Sequence, residues 1–195
     1  MDIREYGMFN ELEFAKERGI DMGYGIAIVG ANGSGKTVLG RYLADLLGYY
    51  HMDIEDYSFK DSTIPYSNPR TKEEVHKLLL ADIEKQEHFI LSAVNCDFGD
   101  EINDRYRCVI YIKVPLETRL NRIKQRSLNK YGSRILDGGD MYEQEQNFFK
   151  FAASRTMDKT ENWLQTLTCP VICIDGTEPV EVNAKKIKES IINLI

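Results

Sequence analysis

Residues 30–37 read GANGSGKT, a string in which every residue type has a use if the ligand is a polyphosphate. The spacing is G-x-x-x-x-G-K-[ST]. Gly30, Gly33 and Gly35 let the backbone bend and approach a ligand without Cβ collisions. Successive N–H groups from Gly30 through Ala31, Asn32, Gly33, Ser34 and Gly35 then converge on phosphate oxygens, helped by the positive end of the helix that follows. Lys36 reaches the β- and γ-phosphates, the Thr37 hydroxyl ligates Mg²⁺, and Val38 completes the run. A chance glycine turn would meet the bare pattern in roughly one random chain in a hundred of this length, before the flanking strand and helix are counted. The chemistry predicted is binding of a nucleoside triphosphate together with Mg²⁺, with ATP and GTP both open at this point.

A second group lies in VIYIKVPLETRLNRIKQRS, residues 109–127. On a helix beginning at Pro115, Arg119, Arg122 and Arg126 fall at i, i+3 and i+7 and make one basic stripe, with Leu116, Leu120 and Ile123 on another face. No Asp or Glu stands three or four residues from any of these arginines, so pairing along the helix does not explain them. A solvated surface is the plain alternative. The stripe reads instead as a phosphate clamp beside the glycine loop, because a guanidinium meets phosphate oxygens bidentately.

These groups must be carried by regular elements, and the apolar pattern supplies them. GIAIV at 25–29 is short and apolar throughout, as in a central parallel strand covered on both faces. From Lys36 to Leu47, the residues Val38, Leu39, Tyr42, Leu43, Leu46 and Leu47 recur at helical spacing, and Gly48 stands where a C-terminal cap belongs. YYHM leads as a second strand into the acidic DIED at 53–56. Thr71 and Glu74 form a capping box that starts a helix with Val75, Leu78, Leu79 and Ile83 on its core stripe. FILSAV at 89–94, CVIYIKV at 108–114 and VICI at 171–174 are further strands, and Pro115 suits the first position of a helix. The closing helix puts Val180, Ala184, Ile187, Ile191 and Leu194 on one face. A short amphipathic helix is expected at about 7–19. Strands alternating with helices predict an α/β fold: a five-stranded, mostly parallel sheet flanked by helices, with ligands beyond the carboxyl ends of the strands.

The 195 residues, 43% of them apolar, suffice for one substantial domain, and no linker or repeat divides 1–195. With 25 basic against 31 acidic residues the net charge is -6, which disfavours nucleic acid or an anionic membrane as a partner. No apolar run is long enough to cross a bilayer, and MDIREYGMFNELEF has neither the basic start nor the apolar core of a signal peptide, so a cytoplasmic location is expected. Cys96, Cys108, Cys169 and Cys173 lack zinc-ribbon or C-x-x-C spacing and read as buried thiols.

Among proteins with such a glycine loop, a small GTPase would carry N-K-x-D, where the nearest string is Asn129-Lys130-Tyr131-Gly132. RecA-like, AAA+ and ABC ATPases would end an apolar strand in Asp or Asp-Glu, where FILSAV runs into Asn95-Cys96-Asp97. The sequence instead resembles the nucleoside monophosphate kinase branch of P-loop proteins, the adenylate-kinase-like fold that includes shikimate and gluconate kinases. Three segments carry the resemblance: GANGSGKT at 30–37, V-P-x-E-x-x-x-x-R-I-x-x-R at 114–126, and IDGTEPVEVNAKKI at 174–187. It implies a P-loop kinase core with a helical lid at about 127–155. The implied activity is an ATP-dependent phosphotransferase moving the γ-phosphoryl group to a small-molecule acceptor: a nucleoside, a nucleotide or another hydroxyl compound.

The resemblance makes Arg122 and Arg126 the arginines that contact the nucleotide and the transferring group. It makes Asp175 to Val180, with Gly176, Thr177 and Pro179, the loop against the adenine. It sets the acceptor past the second strand, where Asp53 first, then Glu55 and Asp56, would hold Mg²⁺ through water or orient an acceptor hydroxyl. Asp97 has a similar claim, and an acidic loop is the plain alternative. Arg70 is a candidate grip for an anionic acceptor. In the polar stretch 127–155, Asp140 answered by Glu143 is expected to cap a helix, and Arg134 and Arg155 to enter the closed site. Two adenylate-kinase features are replaced: D-G-F-P-R by SAVNCDFG at 92–99, and the monophosphate-binding pattern by HMDIEDYSF at 51–59. A non-catalytic or slowly hydrolysing ATP-binding switch module that acts on a protein partner fits the same donor half. A nucleic-acid end kinase is weakened by the acidic balance.

Overall fold

The computed structural model describes residues 24–60 and 68–192. Five strands form one sheet: β1 (Tyr24–Gly30), β2 (Tyr50–Asp53), β3 (His88–Ala93), β4 (Tyr106–Lys113) and β5 (Val171–Asp175), in the order β2-β3-β1-β4-β5. Every neighbouring pair is parallel, so the chain must return along a face of the sheet between strands. The returns carry α1 (Lys36–Leu47), α2 (Ile54–Ser58), α3 (Lys72–Ile83), α4 (Asp100–Asn103), α5 (Leu116–Tyr131), α6 (Tyr142–Ser154) and α7 (Asp158–Leu164). A 3-10 turn at Gly132–Ile135 joins α5 to α6, and α8 (Val180–Ile192) follows the last strand.

β1 is central, as its uniform apolarity requires. Ile26 and Ile28 face a core shared with Leu39 and Leu43 of α1 and with Ala184 and Ile187 of α8. Ala27 and Val29 face the other core, with Val75, Leu79 and Ile83 of α3 and Trp163 of α7. Alternate residues of a strand point to opposite faces, so one buried strand feeds two hydrophobic layers.

Two helices depart from the expected stripe. On α1, Val38, Tyr42 and Leu46 are exposed, while Leu39, Gly40, Leu43 and Ala44 are buried. Gly40 explains the turn of the helix: a Cβ there would stand 2.5 Å from both His51 Nε2 and Ser92 Oγ, so the smallest residue is pressed against the sheet and its bulkier neighbours face outward. Gly48 closes α1 with a φ of 72°. Leu78 of α3 is likewise exposed, leaving Val75, Leu79 and Ile83 to make the contact. The Thr71–Glu74 capping box forms in both directions, at 3.2 and 2.8 Å. Pro115 is the residue before α5 rather than its first. Cys96 and Cys108 are buried thiols; Cys173 is exposed on edge strand β5, on the face opposite buried Ile174, and Cys169, just before the strand, is half-buried. The expected helix at 7–19 and Leu194 lie outside the described residues.

Parallel strands present their carboxyl ends together. The register pairs Asp53 with Ser92, Val29 with Ala93, Gly30 with Ile112 and Lys113 with Asp175. The glycine loop, the acidic segment, the residues after β3, the arginine helix and the DGT loop therefore leave the sheet along one edge.

Candidate functional site

The loop after β1 is tight. Ser34 N donates to Ala31 O at 3.1 Å, and Leu39 N to Gly35 O at 3.0 Å opens α1. Gly33 has a φ of 80°, and a Cβ there would lie 2.6 Å from the Arg119 carbonyl oxygen, so only glycine lets the loop rest on α5. Lys36 folds back, its Nζ donating to Ala31 O at 3.1 Å. Burial, opposed by the charges of Asp53 and Glu55, lowers its pKa from 10.5 to about 8. Thr37 Oγ1 donates to Asp53 Oδ2 at 2.7 Å, and Asp53 Oδ1 accepts Glu55 N at 3.1 Å, which caps α2. Both Asp53 oxygens are thus in use. Among the described residues, no cluster of three or more His, Cys, Asp or Glu could hold a metal by itself. The paired oxygens of Thr37 and Asp53 still fit Mg²⁺, which takes few protein oxygens and completes its shell with water and substrate phosphates.

The arginine stripe divides by depth. Arg119 is buried; its Nε donates to Val114 O at 3.3 Å and its Nη1 to Asn32 O at 3.2 Å. It props the loop through a backbone carbonyl, a role that neither a phosphate clamp nor a solvated surface describes. Arg122 Nη1 makes a long contact of 3.5 Å with Ser34 O. Arg126 is exposed, and its charge, with that of Lys36, opposes the upward push that burial and then Asp53 exert on the Glu55 carboxyl. Arg155 reaches the loop from the end of α6, with Nη1 3.4 Å from Asn32 Oδ1. Its charge also contributes to lowering Lys36.

Other nominated residues are engaged elsewhere. Arg70 Nη1 donates to the carbonyls of Asp56, Tyr57 and Phe59 at 3.3, 3.0 and 2.5 Å, so its cation closes the C-terminus of α2 instead of gripping an acceptor. Arg134 forks onto Asp140 with contacts of 2.6 to 3.2 Å. Asp140 therefore does not cap α6, which Met141 precedes without a side-chain cap. Asp97 Oδ1 accepts Asn103 Nδ2 at 2.9 Å and ties the exit of β3 to α4. Glu55 and Asp56 are both exposed on α2.

A cleft of about 230 Å³ opens between the glycine loop, the start of α5 and the loop after β5, with Ser34, Val38, Ile112, Arg122, Gly176 and Asn183 in its wall. Glu178 and Val180 also line it, whereas Thr177 and Pro179 do not. The Thr177 N–H and hydroxyl both donate to Asp175 Oδ1, at 2.8 and 2.7 Å, which turns that side chain into its own loop. Sequence reasoning missed Asn183, and it missed His51, whose Nε2 lies 3.1 Å from Ser92 Oγ beneath α1. Burial lowers the His51 pKa. Asn183 lies within the 174–187 segment and His51 opens the 51–59 segment, but neither was singled out there, because only the tertiary arrangement shows what each touches.

A family model described as an AAA domain matches residues 26–162. The chain is 32% identical over 158 residues to the uncharacterized protein YqaC of Bacillus subtilis (strain 168), spanning 77% of this chain and 87% of that one. Its fold is similar to the crystal structure of a gluconokinase from Sinorhizobium meliloti 1021, with a TM-score of 0.54 and 12% identity over 89% of this chain and 94% of the other. At that identity the likeness concerns the fold. The family match and the likeness to a P-loop kinase together bear out the expected P-loop fold of the nucleoside monophosphate and shikimate kinase type, and β3 runs into Asn95-Cys96-Asp97 as read.

Proposed function

Because this chain belongs to the AAA domain family of P-loop proteins, we propose that it is an ATP-dependent phosphotransferase acting on a small-molecule hydroxyl acceptor. A kinase-like fold supports that reading. The observation that carries it is the Thr37–Asp53 contact of 2.7 Å beside a buried Lys36, on a loop that Arg122 and Arg155 also touch. Cations, a hydroxyl and a carboxylate thus surround one set of backbone amides, as a triphosphate requires.

In this reading the backbone of 30–37 and Lys36 hold the β- and γ-phosphates, Lys36 exchanging the Ala31 carbonyl for phosphate oxygen. Mg²⁺, held by Thr37 and through water by Asp53, would neutralise phosphate charge. Arg122 and Arg126 stabilise the transferring group, and Arg155 completes the cage as the segment 127–155 closes and excludes water. The loop from Gly176 covers the adenine. Asp53 Oδ2 already meets the Thr37 hydroxyl, so we assign it the metal, and we assign the acceptor hydroxyl to Glu55, exposed two residues on, whose carboxyl is pushed up. The acceptor oxygen forms a new P–O bond as the bond from the γ-phosphorus to the β–γ bridging oxygen breaks. ADP departs, and the hydroxyl proton passes to Glu55. The described residues hold no helix long and apolar enough to cross a membrane; a cytoplasmic setting is part of the proposal, and the net charge of -6 disfavours a nucleic-acid partner.

The test is ADP formation across a panel of small hydroxyl metabolites. One compound should raise the rate at least about tenfold, and Glu55→Gln should lower that stimulated rate by about a hundredfold or more. An unchanged rate with every compound would contradict the kinase. Phosphate release without an acceptor would instead support a slowly hydrolysing ATP-binding switch that acts on a protein partner. One observation favours that second reading: Arg70 and Arg134, nominated for the acceptor side and the closed site, are both committed to contacts away from the glycine loop.

A further inference from the structure

The wall of the cleft is largely apolar, with Val38, Leu39, Ile112, Ile174 and Val180, and at its α8 side stands Asn183. Asn183 lies in the first turns of that helix, its N–H donating to Pro179 O at 3.1 Å, and it is 4% exposed. Its Nδ2 donates to Asp175 O at 2.8 Å. A carbonyl oxygen only accepts, so this bond determines which branch of the amide is nitrogen. The other branch, Oδ1, is buried and has no hydrogen-bond partner. Buried polar atoms are nearly always paired, and an orphan acceptor in the wall of a cleft marks a place for a ligand's donor. Ser34 Oγ is also buried and unpaired in the same wall, but a hydroxyl both donates and accepts and so does not discriminate.

We propose that Asn183 selects the nucleobase: its Oδ1 accepts a hydrogen bond from the exocyclic 6-amino group of adenine and repels the 6-oxo group of guanine or hypoxanthine, which would set acceptor against acceptor. The inference rests on the reading of this cleft as the base subsite of a nucleoside triphosphate. Apolar walls hold the ring, and one fixed acceptor reads its edge. A site built around such a hydrogen bond rejects an analogue lacking the donor, because the buried oxygen then stays unpaired.

The experiment is calorimetric titration of the full chain, with Mg²⁺ present, by ATP, by inosine triphosphate and by purine riboside triphosphate, which bears hydrogen at position 6. ATP should bind at least about tenfold more tightly than either analogue. In Asn183→Ala the Asp175 contact is lost for every ligand alike, so the ratio is the readout: ATP and inosine triphosphate should come within about threefold of each other. Equal affinity for all three ligands in the wild type overturns Asn183's role while leaving the triphosphate site intact. A ratio kept in full by an Asn183→Ala protein that melts cooperatively also overturns it. If the variant does not fold, the wild-type comparison of ATP with purine riboside triphosphate decides alone, and parity there removes the proposal. Failure of all three to bind takes down the triphosphate reading and this inference together.

Discussion

In the proposed function Lys36 carries the charge that meets the triphosphate, and burial lowers its pKa to about 8. The charged form is the one that binds phosphate. Affinity for MgATP should therefore hold level below pH 8 and fall by up to about tenfold per unit above it. Lys36→Arg stays charged throughout and should remove the fall; a wild-type affinity flat to pH 10 would contradict the assignment. Stability moves the other way. The folded pKa lies below the ordinary 10.5, so burying the ammonium costs stability at neutral pH, and that cost is relieved as pH rises from about 8 toward 10.5. At this scale the sequence was legible where one contiguous stretch sets the backbone: Gly33 and Gly35 take the positive φ the loop needs, and α1 opens at Lys36 as read. Arg119 was not legible, because its role depends on the carbonyl of Asn32, 87 positions away. Asn183 was hidden for a different reason: its bonded partner Asp175 is only eight positions away, but the cleft it lines is assembled with the glycine loop and α5.

At the scale of elements, two similar four-residue patterns had different outcomes. Thr71 and Glu74 cap α3 as read, whereas Asp140 and Glu143 do not cap α6. The difference is a competitor: Arg134, six residues before Asp140, offers a forked cation that a backbone N–H cannot match. Thr71→Ala should lower stability by about 1 kcal/mol, measured by urea denaturation, and an unchanged midpoint would mean the box contributes nothing. The α1 pattern was read as a wide apolar stripe, but the helix packs through Leu39, Gly40, Leu43 and Ala44. Apolar spacing shows that a helix is amphipathic, and only the close approach at Gly40 shows which side touches the sheet.

For the whole molecule, the alternation of short apolar runs with helical periods was enough to recover a five-stranded parallel sheet with β1 at its centre. It also implied that distant motifs would meet, since parallel strands present their carboxyl ends together. The acceptor side was less legible, because its residues have to be read against a partner molecule rather than against the chain. The account rests on a triphosphate held by the loop from Gly30 to Thr37. Calorimetric titration of MgATP into the full chain and into Lys36→Ala tests that most directly. The account predicts saturable one-to-one binding to the wild type, weakened at least about tenfold in a variant that melts at the same temperature. No binding of MgATP, or equally tight binding by Lys36→Ala, would contradict it.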